Sequence, residues 1–200
     1  DTKHPLYQQA KKQLDKQLQI WPHTKGEIVD VFLVDPNGLV VYTTNDLLSS
    51  EYLGRPLPDP DGESFTKGKQ RVHFTNIYPS PPFKTNRYGM LVTAPAFDQE
   101  KRFTGVIALE IDMQSIFDLI VDRAGLGDTG ETLVASHQGS HALFINPLRY
   151  DPDAALTRTI AYDAEDELPI SKAAKGRVGA GLAIDYRGEP TIAAWRPLSL

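Results

Sequence analysis

The sequence predicts an α+β chain made of two antiparallel-sheet units in tandem, and three observations carry that prediction. Runs of β-branched and aromatic residues recur in pairs with tight-turn residues between them. The order strands, short helix, long strands occurs before residue 124 and again after it. No strand alternates with a crossover helix, which excludes a doubly wound parallel sheet. The expected division is therefore residues 1–124 and 125–200.

The elements follow in order. Leu6, Ala10, Leu14 and Leu18 recur every fourth residue with Lys11, Lys12, Asp15 and Lys16 between them, which predicts an amphipathic helix over 5–20. Ile20-Trp21-Pro22 and then Gly26 end that pattern. Residues 28–44 hold two β-rich runs around Asp35-Pro36-Asn37-Gly38, and Asn-Gly tolerates the positive φ of a tight hairpin turn. A short helix is expected over 46–53, capped by Asn45 or Asp46, followed by a loop over 54–68 rich in Gly, Pro and Asp. A strand at 71–77 comes next, and Pro79, Pro81 and Pro82 then forbid regular structure. Strands at 88–97 and 103–112 form a second hairpin, turning at 98–102. A helix over 113–124 places Ile116, Leu119, Ile120 and Ala124 on one face.

The pattern restarts with a glycine-rich turn at 125–130 and strands near 131–136, 142–146 and 157–162. A helix over about 169–175 precedes a last hairpin pairing 178–186 with 190–198. The chain opens inside a helical pattern and closes directly after a strand, which reads as a segment of a longer protein.

Composition narrows the function. Among 200 residues, 21 are Lys or Arg and 26 are Asp or Glu, so the formal net charge is -5 and binding of nucleic acid through overall charge is disfavoured. Cysteine is absent, which excludes disulfides, thiolate metal sites and a cysteine nucleophile. Gly125-Leu126-Gly127-Asp128-Thr129-Gly130 matches the dinucleotide fingerprint in letters only. A helix precedes it and a strand follows, the reverse of the order that brings a pyrophosphate to a helix N-terminus. It reads instead as a helix end and a turn, and no cofactor is expected. His137 and His141 flank a hairpin turn, with no third ligand in view to complete a zinc site. No catalytic motif is present, so this segment is read as a non-enzyme.

A charge asymmetry is the most informative local feature. Between Phe65 and Phe97 there is no acid, while Lys67, Lys69, Arg71, His73, Lys84 and Arg87 interleave with Phe74, Tyr78, Phe83 and Tyr88. Bases beside aromatic walls suit a small carboxylate. Set against them, a solvated basic loop balanced by acids elsewhere is the plainer reading.

Several motifs, in this order, resemble a family. The leading helix and Val34-Asp35-Pro36-Asn37-Gly38-Leu39-Val40-Val41-Tyr42 resemble the opening of the extracytoplasmic Cache sensor domains, PAS-like folds of bacterial transmembrane receptors. Tyr78-Pro79, the 88–97 strand and Gly105-Val106-Ile107-Ala108-Leu109-Glu110-Ile111 resemble the end of the membrane-distal module of a double Cache. Gly127-Asp128-Thr129-Gly130-Glu131-Thr132 resembles the start of the membrane-proximal module. Asn146-Pro147-Leu148-Arg149, Asp185-Tyr186-Arg187-Gly188-Glu189-Pro190 and Ala194-Trp195-Arg196-Pro197-Leu198 resemble the rest of it. The resemblance implies two PAS-like modules along an N-terminal helix. It also implies a membrane-anchored parent protein with a periplasmic sensor and a cytoplasmic histidine kinase or diguanylate cyclase, and it allows a homodimer.

Amino-acid-binding members carry an R-x-W-Y signature upstream of the position matching Tyr78, where this chain reads Lys67 to Phe74 without tryptophan. The acid that grips the ligand amine in those members falls at or near Glu110. The expected site is thus Arg71, His73, Tyr78, Arg87, Tyr88 and Glu110 in the distal module, taking a small carboxylate-bearing molecule. The alternative is a periplasmic protein-interaction domain with a vestigial pocket.

Overall fold

Pro5 opens the first helix where a missing N–H costs nothing, and the Nδ1 of His4 accepts the Leu6 N–H at 3.3 Å. This helix, α1 (Pro5–Leu18), buries none of its residues. It is tied to the fold by polar contacts: Lys11 reaches Asp46 at 2.9 Å, and the Tyr42 hydroxyl donates to Asp15 at 2.9 Å. Ile20-Trp21-Pro22 does not end the helical path. A second short helix, α2 (Ile20–Thr24), follows Gln19, because Pro22 falls in its first turn, where no N–H is needed. The computed structural model describes residues 2–24, 27–47, 49–59, 62–79, 88–162 and 167–198, so Gly26 lies outside the described residues. The chain divides into two units, residues 1–115 and 116–200.

The first unit is an antiparallel sheet. Strands β1 (Ile28–Val34) and β2 (Val40–Thr43) flank the Asn37-Gly38 turn, where the Asp35 carboxylate accepts the N–H groups of Asn37 and Leu39, both at 2.9 Å. Helix α3 (Ser49–Tyr52) follows. The 54–68 stretch is not all loop, because α4 (Ser64–Gly68) forms inside it and buries Ser64 and Gly68. The expected strand at 71–77 is reduced to β3 (His73–Phe74), with β4 (Tyr78–Pro79) beyond it. Pro79 is tolerated there because β4 pairs only with β5. The long hairpin β5 (Tyr88–Phe97) and β6 (Phe103–Asp112) matches its expected bounds. Its turn is organised by Asp98, which accepts the N–H groups of Glu100 and Arg102 and the Arg102 guanidinium. The sheet order is β2-β1-β6-β5-β3, with β4 also on β5.

Strand alternation gives this sheet two faces. Phe32, Val34, Val40, Leu91, Val106 and Ala108 form the core under Tyr52, Leu57 and Tyr78. Tyr42, on the reverse face, meets α1. β6 lies beside the end of β1 so closely that a Cβ on Gly105 would lie 1.9 Å from the Val34 carbonyl oxygen, at a φ of +144°.

Helix α5 (Gln114–Val121) turns a different face inward from the one its spacing suggested: Phe117 is buried, whereas Ile116, Leu119 and Ala124 are exposed. The second unit holds a three-stranded sheet, β7 (Ala135–Gln138), β8 (His141–Phe144) and β9 (Thr159–Ala161). Residues 131–134, expected in the first of these, lie outside it. Helix α6 (Pro169–Ala174) precedes the ribbon β10 (Gly179–Ile184) and β11 (Pro190–Trp195). Phe144, Leu148, Ala154, Ile170 and Tyr186 form its core. Glu131 anchors the glycine-rich turn by accepting from the Tyr186 hydroxyl and the Arg149 N–H, both at 2.8 Å. One face of the ribbon is small or aromatic; the other is wholly apolar and exposed, led by Leu182 and Ile192. No helix among the described residues is long and apolar enough to cross a membrane.

Two outcomes test this packing. Gly105→Ala forces both a clash and an unfavourable φ and destabilises the chain by about 3 kcal/mol or more. Gly127→Ala, with open space around it at φ +66°, costs about 1–2 kcal/mol and touches no nucleotide binding; chemical denaturation of both variants measures the difference. Acid provides a second test. The N–H of Leu39 and the hydrogen bonds of the Asn37-Gly38 turn hold the Asp35 carboxyl below the usual range, as the Arg102 N–H and guanidinium do for Asp98. Their contributions are in place above the ordinary Asp value of about 4 and are lost as pH falls through the lowered values. Melts from pH 5 to pH 2 therefore decline less steeply for Asp98→Ala than for the parent chain.

Candidate ligand site

The core face of the first sheet carries two acids among its apolar residues and the buried Thr43 and Thr93. Asp30 and Glu110 are directly paired residues of β1 and β6, and each is nearly inaccessible, at 1% and 2% exposure. Alternation places them on the same side as Phe32, Val34 and Ala108.

The two acids differ in their surroundings. The Asp30 carboxylate accepts five hydrogen bonds: the N–H groups of Val31, Thr44 and Asn45 at 2.7, 2.9 and 3.2 Å, and the hydroxyls of Thr43 and Thr44 at 2.5 and 2.6 Å. Burial pushes its carboxyl above the ordinary value, and those hydroxyls and N–H groups pull it back in part. It is a tie between β1 and the end of β2. Glu110 receives the Tyr78 hydroxyl at 3.3 Å. Burial, and then the Glu110 carboxylate, push the Tyr78 hydroxyl far above its ordinary value, so Tyr78 stays a donor. Tyr52, whose ring meets Phe32 edge-on at 5.2 Å, is raised by burial and by Glu110 and Asp30.

Helices α3 and α4 bring Tyr52, Ser64 and Phe65 over this face. Gly68 allows the close approach of α4, since a Cβ there would lie 2.8 Å from that of Thr93. The Thr93 hydroxyl donates to the Ser64 carbonyl at 3.1 Å.

Of the six residues expected at the site, the structure brings Glu110 and Tyr78 together. His73 pairs with Thr93, so it shares their face, half-buried, one two-residue step along the sheet. Arg71 precedes β3 and is exposed, so it is not on the strand expected over 71–77, where two-residue spacing would have set it on the same face as His73. Tyr88 is half-buried, and alternation from Gly89 and Leu91 turns it to the opposite face. Arg87 lies outside the described residues. Asp30, Tyr52 and Ser64 were not anticipated. A lone acid in phase with Phe32 and Val34 is the signal that could have found Asp30. Reading 54–68 as loop concealed Ser64.

Elsewhere the glycine motif ends in turn conformations, with Gly125 and Gly127 at φ +81° and +66°. His137 stacks on Tyr162 and shares a 2.9 Å hydrogen bond with its hydroxyl. His137 and His141 stand on adjacent strands, and no group of three or more metal-ligating side chains occurs among the described residues. A shallow groove of about 790 Å³ beside α1, lined by Gln8, Lys11, Asp15 and Asp46, is on the far side of the sheet from Glu110.

No protein-family model matches this sequence, and no curated protein matches it. Solved structures do match. The extracellular domain mmHK1S-Z3, described as part of a histidine kinase, superposes with a TM-score of 0.58 at 14% identity, over 95% of this chain and 79% of that one. The sensory domain of the Campylobacter jejuni chemoreceptor Tlp3 gives 0.55 at 14% identity, over 94% and 69%. The periplasmic sensory domain of Tlp1 from the same organism gives 0.53 at 15%, over 92% and 79%. The chain thus has the fold of the extracytoplasmic sensory domains of histidine kinases and chemoreceptors.

One variant tests the Asp30 tie. Four of the five donors meet one oxygen of Asp30 and the Thr43 hydroxyl alone meets the other, so Asp30→Asn sets an amide NH2 against that hydroxyl, weakens the remaining bonds by removing the charge, and lowers stability by about 1–3 kcal/mol, read from the urea midpoint.

Proposed function

We propose that this chain is the periplasmic ligand-sensing part of a membrane-anchored receptor and binds a small molecule over the Glu110–Tyr78 pair. In this reading residues 1–124 form the membrane-distal module and residues 125–200 the membrane-proximal one. The chain performs no chemistry of its own. Its output comes from differential affinity of the ligand for two arrangements of the sensor.

The observation that supports this most directly is the buried Glu110 carboxylate, hydrogen-bonded by Tyr78 on the helix-covered face of a sensor-type fold. A buried carboxylate favours a ligand N–H or ammonium group. A carboxylate on the same ligand would face His73 and, farther out, Arg71, in a segment that carries bases and no acid from Thr66 to Pro79.

A thermal-shift screen of amino acids, short mono- and dicarboxylates and their amides tests the proposal, since binding to the folded state alone raises the midpoint. Glu110→Gln and Tyr78→Phe should abolish the shift, a loss of about 2–5 kcal/mol for a truncated buried charge partner. Arg71→Ala should weaken a carboxylate more than its amide. Equal weakening of both would remove Arg71 from ligand recognition, and a screen without any shift would remove the sensing role.

A second reading, a protein-interaction domain, is favoured by one observation: Leu182 and Ile192, paired across the ribbon, are 85% and 84% exposed. Exposed apolar patches mark interaction sites. A blank screen together with a captured periplasmic protein whose binding Leu182→Asp abolishes would favour it.

A further inference from the structure

We infer that Ser64 is the group that holds a hydrogen-bond acceptor oxygen of the ligand, a carbonyl or carboxylate, while Glu110 meets its donor end. The inference rests on the reading that the ligand lies on the helix-covered face of the first sheet.

Ser64 and Gly68 are the two buried residues of α4, and residues four apart share one helix face. That face is turned to the sheet: a Cβ on Gly68 would lie 2.4 Å from the Thr93 hydroxyl oxygen and 3.3 Å from a Val106 methyl. The backbone of Ser64 is fixed on both sides. Its N–H donates to Asp59 at 2.5 Å, and its carbonyl accepts from Thr93 at 3.1 Å. It is 0% exposed, yet its hydroxyl has no hydrogen-bond partner among the described residues.

A buried hydroxyl left unpaired costs stability, and alanine at this position would avoid the cost. A partner supplied from outside the fold would turn that cost into a gain. Position along the sheet makes a ligand the fitting partner. Thr93, beneath Ser64, is opposite Ala108, and Leu91, one two-residue step away, is opposite Glu110. Measured along β5 that step is about 7 Å, which puts the strand position beneath Ser64 and the strand partner of Glu110 within the reach of one small bifunctional molecule. The hydroxyl is the donor that complements the acceptor Glu110. Unlike the exposed Arg71, it is already out of water, where a hydrogen bond discriminates most sharply between ligands that have the matching atom and those that lack it.

The experiment uses Ser64→Ala and Ser64→Cys, the second keeping the side-chain volume with a far weaker donor. Each variant is melted alone and with the amino acids, carboxylates and amides of the screen. Alone, both should melt at or above the parent midpoint. With a compound that stabilises the parent, both should bind about tenfold more weakly. An unchanged affinity overturns the inference. So does a lowered midpoint without added compound in both variants, because the hydroxyl would then be holding the fold. If no compound stabilises the parent chain, the sensing reading fails on its own, and the melts without compound still decide whether the Ser64 hydroxyl serves the fold.

Discussion

The first unit depends on the convergence of five hydrogen-bond donors on one buried carboxylate. Asp30 stands where β1 and β2 diverge, and Thr43, Thr44 and Asn45 can leave the sheet in only one direction if their donors are to reach it. That direction leads the chain into α3, which sets Tyr52 against Phe32. The partner strand then has little freedom. With Asp30 facing the core, its direct neighbour Glu110 faces the core as well, by the period of the sheet alone. A carboxylate in that position needs a donor, and β4 supplies one in Tyr78. The candidate site is thus partly a by-product of the tie that shapes the unit.

The sequence was most readable where local chemistry dictates the outcome. Asn37-Gly38 located the first hairpin, because its turn geometry is specific, and two long β-rich runs located the second, turning at 98–102. It was least readable where packing overrides composition. Residues 64–68 sit in a run of Gly, Pro and Asp, and they form a helix because the sheet below offers a surface on which Gly68 can rest. The 71–77 stretch has strand-like alternation, yet only His73 and Phe74 pair, so alternation could not say which way Arg71 points. The spacing in α5 marked Ile116 and Leu119, but the fold buries Phe117, which that spacing skipped.

The site was legible only in part for a related reason. Glu110 stood out as an acid in an apolar strand, and Tyr78 as an aromatic in a basic segment. Asp30 carried the same signal on a strand with no bases nearby to draw attention to it. Ser64 carried none, since a serine beside a predicted loop looks like surface. What identifies it is the combination of burial and an idle hydroxyl, which only the arrangement of α4 on the sheet reveals.

The pairing of β1 with β6 also bears on how the chain reaches this state. β1–β2 and β5–β6 are hairpins closed by short turns, whereas the pairing that joins them links Val34 to Val106, 72 positions apart (106 minus 34). Loop closure of that length must be met before the contacts that reward it exist. Pairing the two hairpins edge to edge is therefore the part of the sheet that costs the most chain entropy. That pairing brings Asp30 beside Glu110, so the two acids leave water together as the strands close.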